Sequence, residues 1–355
     1  MRLRRFALLV GFVPLVTACP PPDPGTTTTT SAPSSTTTTS STTSTSTSTS
    51  TTTSTTTSTS TTSTSTTSTT TTTVPSGPIN RQVRASVQSA YNNRLVPALA
   101  VPTGWTGSVA GCNAGTTSAA HQTATLDTVN FFREFVGLTN VSFNATYSAK
   151  AQQAALMMQA NNQLSHNPPT SWTCYTADGA QAAGSSNIAL GTNNGPNAVR
   201  LYMIDPGSGN TAAGHRRWVL DPTRLTMGSG TTGNANDLWV FGATQPLPAS
   251  PATVAWPADG FFPVELEPQG RWSLSIPNAN FSAAAITVTD NLGTNYPITK
   301  QPVANGYGQN TVVWQVGNLT YGDGQGDRNF TVTVSGITGW TSTSYSYVVK
   351  MFDAA

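Results

Sequence analysis

Two of the three histidines in this 355-residue chain sit where an element starts or stops, among residues that could do chemistry. His215 lies in Gly214-His215-Arg216-Arg217-Trp218-Val219-Leu220-Asp221-Pro222, between turn-forming Gly and Pro and ahead of two arginines. His166 lies upstream in Leu164-Ser165-His166-Asn167-Pro168-Pro169, at another expected helix end. Near neutral pH an imidazole can take a proton, give one, or hold a metal through its unprotonated nitrogen. Two imidazoles at element ends can converge on one cleft, which makes His166 and His215 the first candidate site. Arg216 and Arg217 would either hold an anionic ligand at the mouth of that cleft or make structural salt bridges, with Asp205 or Asp221 as partners. His121 falls in or near an expected helix, and its expected role is that of a surface or helix-start residue.

The elements that must position these groups follow from periodicity. Apolar residues at Val83, Val87 and Tyr91 predict a short helix over 81–94, and Leu126, Val129, Phe132 and Val136 predict a longer one over 117–136, stopped by Gly137. Asn144 is placed to cap a third helix running to about 163, with Tyr147, Ala151, Ala154 and Met158 on one stripe. A fourth covers 197–204 and ends before Asp205-Pro206. Strand-like pieces follow at 225–227 and 238–241. Helices first, with a few strands between and after them, predict an α+β layer structure.

Beyond about 246 the period changes to two. Trp272, Leu274 and Ile276 alternate with polar residues, as do Val312, Trp314 and Val316, then Phe330, Val332 and Val334, then Tyr345, Tyr347 and Val349. Gly, Asn, Asp and Pro separate these runs, so 246–355 predicts an all-β, immunoglobulin-like sandwich. Trp256, Trp272, Trp314 and Trp340 are candidates for a carbohydrate-stacking face, although the strand positions of Trp272 and Trp314 favour core packing. Asp323-Gly324-Gln325-Gly326-Asp327 sets two carboxylates four apart in a Gly-rich turn. It lacks the full twelve-residue calcium pattern, so a hairpin turn is expected and calcium is not.

The N-terminus carries targeting signals. Arg2, Arg4 and Arg5 precede an apolar run over 6–18, too short to cross a hydrocarbon layer of about 30 Å as a helix. Val16-Thr17-Ala18-Cys19 looks like a bacterial lipobox. Residues 1–18 would then be a lipoprotein signal peptide, Cys19 the lipidated new N-terminus, and the lipid the sole membrane anchor. The stretch 19–77 is nearly pure Thr and Ser after a few prolines. It buries too little to offset the entropy of ordering and is expected to be a disordered tether, its Ser/Thr tract 26–73 about 40 Å end to end as a random coil. Cys112 and Cys174 remain, and in an oxidising compartment an even pair predicts one disulfide, the alternative being two buried thiols. Only 8% of residues are charged and the formal charge is +2, so neither nucleic acid nor an acidic partner is indicated.

Five pieces of the middle region, in order, resemble the CAP superfamily of pathogenesis-related, venom-allergen and sperm-coating proteins, and its bacterial secreted branch in particular. Asn130-Phe131-Phe132-Arg133 with Gly137-Leu138 looks like that family's first helix, and the Ala-rich helix ending in Leu164-Ser165-His166 like its second. Ser186-Asn187-Ile188-Ala189 stands where the family has Glu-Asn-Leu/Ile-Ala. Ala198-Val199 through Met203 resembles the helix before the second acidic position, and 214–220 the family's His motif and the strand it enters. The match covers 117–243, within an expected CAP-like α-β-α domain at 78–245.

The resemblance implies a central cleft with two His and two Glu that can hold a divalent ion such as zinc. Carried over here, the set is His166, His215 and Asp205, with Ser186 replacing the first Glu. Ser186, Asn187 and Arg216 are expected to line the cleft. One carboxylate and two imidazoles would suffice for a three-ligand zinc site with water in the fourth position. The same residues also allow a hydrolase, with His166 or His215 activating Ser186 and Asp205 orienting the ring. No Gly-x-Ser-x-Gly elbow surrounds Ser186, however, and its surroundings fit a loop or helix cap equally well. The expectation is therefore a lipid-anchored cell-envelope protein, a surface binding or adhesion module for an unidentified protein, glycan or lipid, with a secreted metal- or serine-dependent hydrolase as the alternative.

Overall fold

A computed structural model of the chain describes residues 16–17, 78–249, 253–319 and 326–355. Cys19, the tether and Asp323 lie outside the described residues. Strand β1 (Val16–Thr17) is followed in the chain by helix α1 (Arg84–Ala90), a π-helical turn (Tyr91–Leu95) and α2 (Val96–Leu99). The expected helix over 81–94 is thus interrupted. Helix α3 (Ala119–Phe135) starts where the Ser118 side chain accepts the His121 N–H. After β2 (Ser142–Phe143), α4 (Ala145–Asn161) begins at the expected Asn144, whose Oδ1 accepts the Tyr147 N–H at 3.1 Å.

Next come α5 (Ala177–Ala183), which periodicity did not indicate, and β3 (Ser186–Leu190). Helix α6 (Gly195–Ile204) ends at Asp205, as expected. The His motif is not the start of a strand but a six-residue helix, α7 (Gly214–Val219). Strands β4 (Thr226–Thr231) and β5 (Ala235–Trp239) complete a five-stranded sheet ordered β1-β3-β5-β4-β2.

Helix α4 covers one face of that sheet and α6 the other, giving the α-β-α layering. The α4 side needs small residues. A Cβ on Gly230 would meet the Gln152 backbone nitrogen at 2.1 Å, and one on Gly228 would meet the Tyr147 side chain at 2.5 Å. Close approach lets Gln152 reach into the sheet, accepting the Thr231 N–H and donating to the Thr231 carbonyl. The Cys112–Cys174 disulfide forms, closing a loop with a sequence separation of 62.

The second region contains β6 (Val254–Trp256), β7 (Gly260–Pro263), β8 (Arg271–Ser275), β9 (Ala285–Asp290), β10 (Ile298–Lys300), β11 (Thr311–Val316), β12 (Arg328–Ser335) and β13 (Ser344–Phe352). They form two four-stranded sheets, ordered β10-β11-β8-β6 and β7-β13-β12-β9. Trp272 faces Trp314 across the β8–β11 pair and meets Phe330 of the other sheet edge-on at 5.9 Å, so the inner faces of the two sheets pack as a sandwich. Trp256, Trp272 and Trp314 are fully buried and Trp340 is half-buried. The three buried indoles are core and offer no face for stacking a sugar.

The change of period at residue 246 marks no break in the core. Phe132 and Phe135 of α3 pack edge-on against Trp256, and Phe135 also against Phe262. One cluster of buried apolar residues runs from Val87 through the CAP-like layers to Phe352. Arg81 ties the two regions further, donating to the Asp259 carbonyl from Nε at 3.0 Å and to the Phe135 carbonyl from Nη1 at 2.5 Å. Among the described residues no helix is long and apolar enough to cross a membrane.

Candidate functional site

Helix α6 ends by turning into a left-handed residue, Asp205, at φ +52. A non-glycine residue there carries a local cost, and the side chain's contacts identify what holds it. Asp205 Oδ2 accepts the His215 N–H at 3.0 Å and the Arg216 N–H at 3.4 Å, so the carboxylate caps the first turn of α7. Its Oδ1 lies 2.8 Å from His215 Nδ1, with both side chains fully buried. A carboxylate oxygen accepts, so this contact places a proton on Nδ1. The ring lies nearly parallel to that of Tyr202, 13° apart with centroids at 5.5 Å. Tyr202 is in turn held by its hydroxyl, which reaches the carbonyls of Asn187 and Asn236.

His166, on the segment between α4 and α5, is half-buried, and its Nδ1 sits 2.7 Å from the Ala183 carbonyl at the end of α5. A carbonyl can only accept, so this ring carries a proton on Nδ1. Asn187 donates from Nδ2 to the His215 carbonyl at 3.0 Å, joining β3 to α7. Both expected histidines therefore have Nδ1 engaged and their rings fixed by neighbouring elements. No sequence signal had specified which nitrogen would be engaged.

Ser186 lies not in a loop but at the start of β3, fully buried, and its Oγ has no hydrogen-bond partner. It shares a sheet face with Asp237 of β5, one strand over. Burial pushes the Asp237 carboxyl well above its ordinary range, and proximity to Ser186 offsets this only in part. No hydrogen bond of normal geometry joins the two, and both Asp237 oxygens are unpaired. Ser186 is thus not set up as a nucleophile against either imidazole.

The metal expectation needed Asp205 as a ligand beside His166 and His215. Asp205 instead directs both oxygens at α7, the arrangement of a group that orients a histidine. Among the described residues no group of three or more His, Cys, Asp or Glu is arranged to hold a metal ion. The donor set does not fit a three-ligand zinc centre.

Neither arginine of the motif lines a cleft mouth. Arg216 is fully buried against the sandwich, pairing with Glu267 at 2.6 Å. Arg217 donates to the carbonyls of Ala304 and Gln309, both at 2.9 Å, beneath the Tyr307 ring. Neither pairs with Asp221, which binds Arg224 at 3.0 Å. His121 does start a helix as expected, but it is buried rather than on the surface. Its Nε2 accepts the Gly195 N–H at 2.9 Å, and burial pushes its pKa down to about 4.

Sequence reasoning also missed Arg133. Fully buried, it donates to the carbonyls of Thr139, Val219 and Asp221, each at 2.9 Å, and so fixes the exit of α7. An arginine inside an apolar helical stripe was the available signal, since burying one requires several acceptors.

Residues 126–242 match the model of the CAP family, the Cysteine-rich secretory protein family. This part of the chain, which holds His166, Ser186, Asp205 and His215, is a CAP domain. A solved extracellular protein containing an SCP domain from Bacillus anthracis str. Ames aligns at 22% identity and a TM-score of 0.27, over 33% of this chain and 39% of that one. The chain thus spans about two-fifths of that protein's length. No curated protein matches.

Proposed function

We propose that the protein is a lipid-anchored envelope protein whose CAP domain is a binding module, with His166 and His215 as the polar anchors of its ligand. One observation carries the reading. Both imidazoles are held by oxygen at Nδ1, at 2.7 and 2.8 Å, while the neighbouring serine is unactivated. Rings held this way keep one orientation, which lowers the ordering cost of binding. A serine hydrolase would need its nucleophile in contact with one of them. The disulfide supports an oxidising compartment outside the cytoplasm, and the lipobox-like Val16-Thr17-Ala18-Cys19 supports attachment there through Cys19. Cleavage before Cys19 would remove β1 and leave β3, with Ser186 and Asn187, as the edge of the remaining four-stranded sheet.

The test uses isolated cell-wall sacculi as the probe. Wild-type protein is expected to sediment with them and the His166→Ala/His215→Ala variant to remain in solution, with no soluble product released by either. Product release by the wild type, lost in the variant, would replace the binding reading with the hydrolase. Cys19→Ala is expected to move the protein from the membrane fraction to the medium or soluble envelope fraction. Retention in the membrane would overturn the anchor.

A further inference from the structure

The segment 205–213 joins α6 to α7 and begins with the residue that orients His215. At the end of α6 the last carbonyls lack intrahelical partners. Three of them are taken by two guanidinium groups. Arg216 donates from Nε to the Met203 carbonyl at 2.6 Å and from Nη2 to that of Ile204 at 3.2 Å. Arg271 donates to the carbonyl of Asp205 itself. Arg271 also holds the Gly207 carbonyl from Nη2 at 2.9 Å and the Asn210 carbonyl from Nη1 at 3.3 Å.

Arg271 belongs to the sandwich, as the first residue of β8. Its own backbone N–H is fixed by Glu267 Oε1 at 3.1 Å, while Glu267 Oε2 takes Arg216 Nη2 at 2.6 Å and Trp256 Nε1 at 3.3 Å. Glu267 is fully buried. The circuit is closed: the sandwich carboxylate holds both arginines, the arginines hold the end of α6, and the end of α6 aims the Asp205 carboxylate at His215 Nδ1.

We propose that Arg271 and Glu267 are positioning residues for His215, so that the CAP site takes its working geometry only in a chain that also carries the sandwich. This rests on His215 being part of the binding site. The Arg271 fork meets three carbonyls of one short segment, and a planar five-donor group fixes their directions in a way a lysine ammonium does not. Asp205 carries both a clamped carbonyl and the orienting carboxylate, so a rotation of its peptide also turns the side chain. Arg217 provides the contrast. It reaches the same sandwich through Ala304 and Gln309 and touches none of the carbonyls that Arg271 holds.

The test is proton–nitrogen NMR of the full chain labelled with 15N-histidine, His215 being assigned by the signal missing in His215→Ala. In the wild type the His215 Nδ1–H is expected as a slowly exchanging, downfield resonance. Arg271→Gln is expected to shift it upfield or broaden it away, and to weaken sacculus retention at least fivefold. Arg217→Gln, which loosens the same interface, is expected to lower the melting temperature while leaving that resonance in place. An unchanged His215 resonance in Arg271→Gln, or equal loss in Arg217→Gln, would overturn the proposal. If Arg271→Gln does not fold, Arg271→Lys keeps the charge, loses the fork and is read the same way. A wild type that never sediments with sacculi would overturn the binding reading alone, because the His215 signal is measured without ligand.

Discussion

Removing Arg216 alone should be among the most damaging single changes available in this chain, and removing its partner as well should repair part of the damage. Arg216→Met strips the cation from a fully buried carboxylate and deprives the Met203, Ile204 and Arg271 carbonyls of a donor. Breaking one side of a buried pair costs about 3–5 kcal/mol. For a folded unit of this size each kcal/mol moves Tm by about 2–4 °C, so a fall of roughly 6–20 °C is expected. Arg216→Met/Glu267→Leu removes both charges of the pair, leaving the carbonyls that lost their donor and the Arg271 N–H and Trp256 Nε1–H that lost their acceptor, and should recover about 2–3 kcal/mol of the single variant's loss.

The pH dependence has a definite sign. Burial outweighs the pull of Arg216 and pushes the Glu267 carboxyl from 4.5 up to about 7. Between those values the folded chain holds a proton that the unfolded chain has released, so this group's contribution to stability falls as pH rises from 4.5 to 7. Without Arg216 the carboxyl is pushed higher still, so the single variant should be more damaged at pH 8 than at pH 5.5. Calorimetric melting of the four proteins of the cycle at both pH values gives the answer. A double variant that melts at or below Arg216→Met would refute the premise that an uncompensated buried charge, rather than lost packing, dominates.

Three other perturbations follow from the same geometry. Cys112→Ser/Cys174→Ser opens a loop with a sequence separation of 62 and should cost about 4 kcal/mol by chain entropy; an unchanged urea midpoint would contradict this. His121, held neutral by burial at a pKa of about 4 against an ordinary 6.5, gives stability that is present above 6.5 and lost as pH falls toward 4. His121→Gln, which can still accept the Gly195 N–H, should narrow the stability gap between pH 7 and pH 4.5, and an unaltered gap would assign the acid loss elsewhere. Zinc titrated into the metal-stripped chain should show no micromolar site; binding at that level that disappears in His166→Ala/His215→Ala would restore Asp205 to the ligand set.

What was legible in the sequence followed the strength of its local signals. Helices α3 and α4 carry long apolar stripes with Ser118 and Asn144 at their caps, and both lie within two residues of the expected bounds. The sandwich strands show a clean period of two, and Trp272, Trp314, Phe330 and Val332 are buried as that period requires. The failures have physical causes. Helix α7 is six residues long, too short for any period to register, and its first turn is stabilised by a carboxylate nine residues before it. Strand β3 is buried at every position and begins Ser-Asn, so neither alternation nor composition announces it.

The arginines mislead for a deeper reason. In a chain with only 8% charged residues, Gly214-His215-Arg216-Arg217 looks like a cationic rim. Local sequence shows the charge but not the acceptors, of which those in the sandwich lie about 50 to 90 residues further on, in a region that periodicity separates as another domain. A guanidinium that finds carbonyls and a carboxylate beyond its own layer becomes a fastener between layers, and the histidine beside it inherits that rigidity. His215 was legible by residue type and Asp205 by position. The reason they hold their relation, the grip of Arg271 and Glu267 on the end of α6, is a property of the joined domains and has no signature in either half alone.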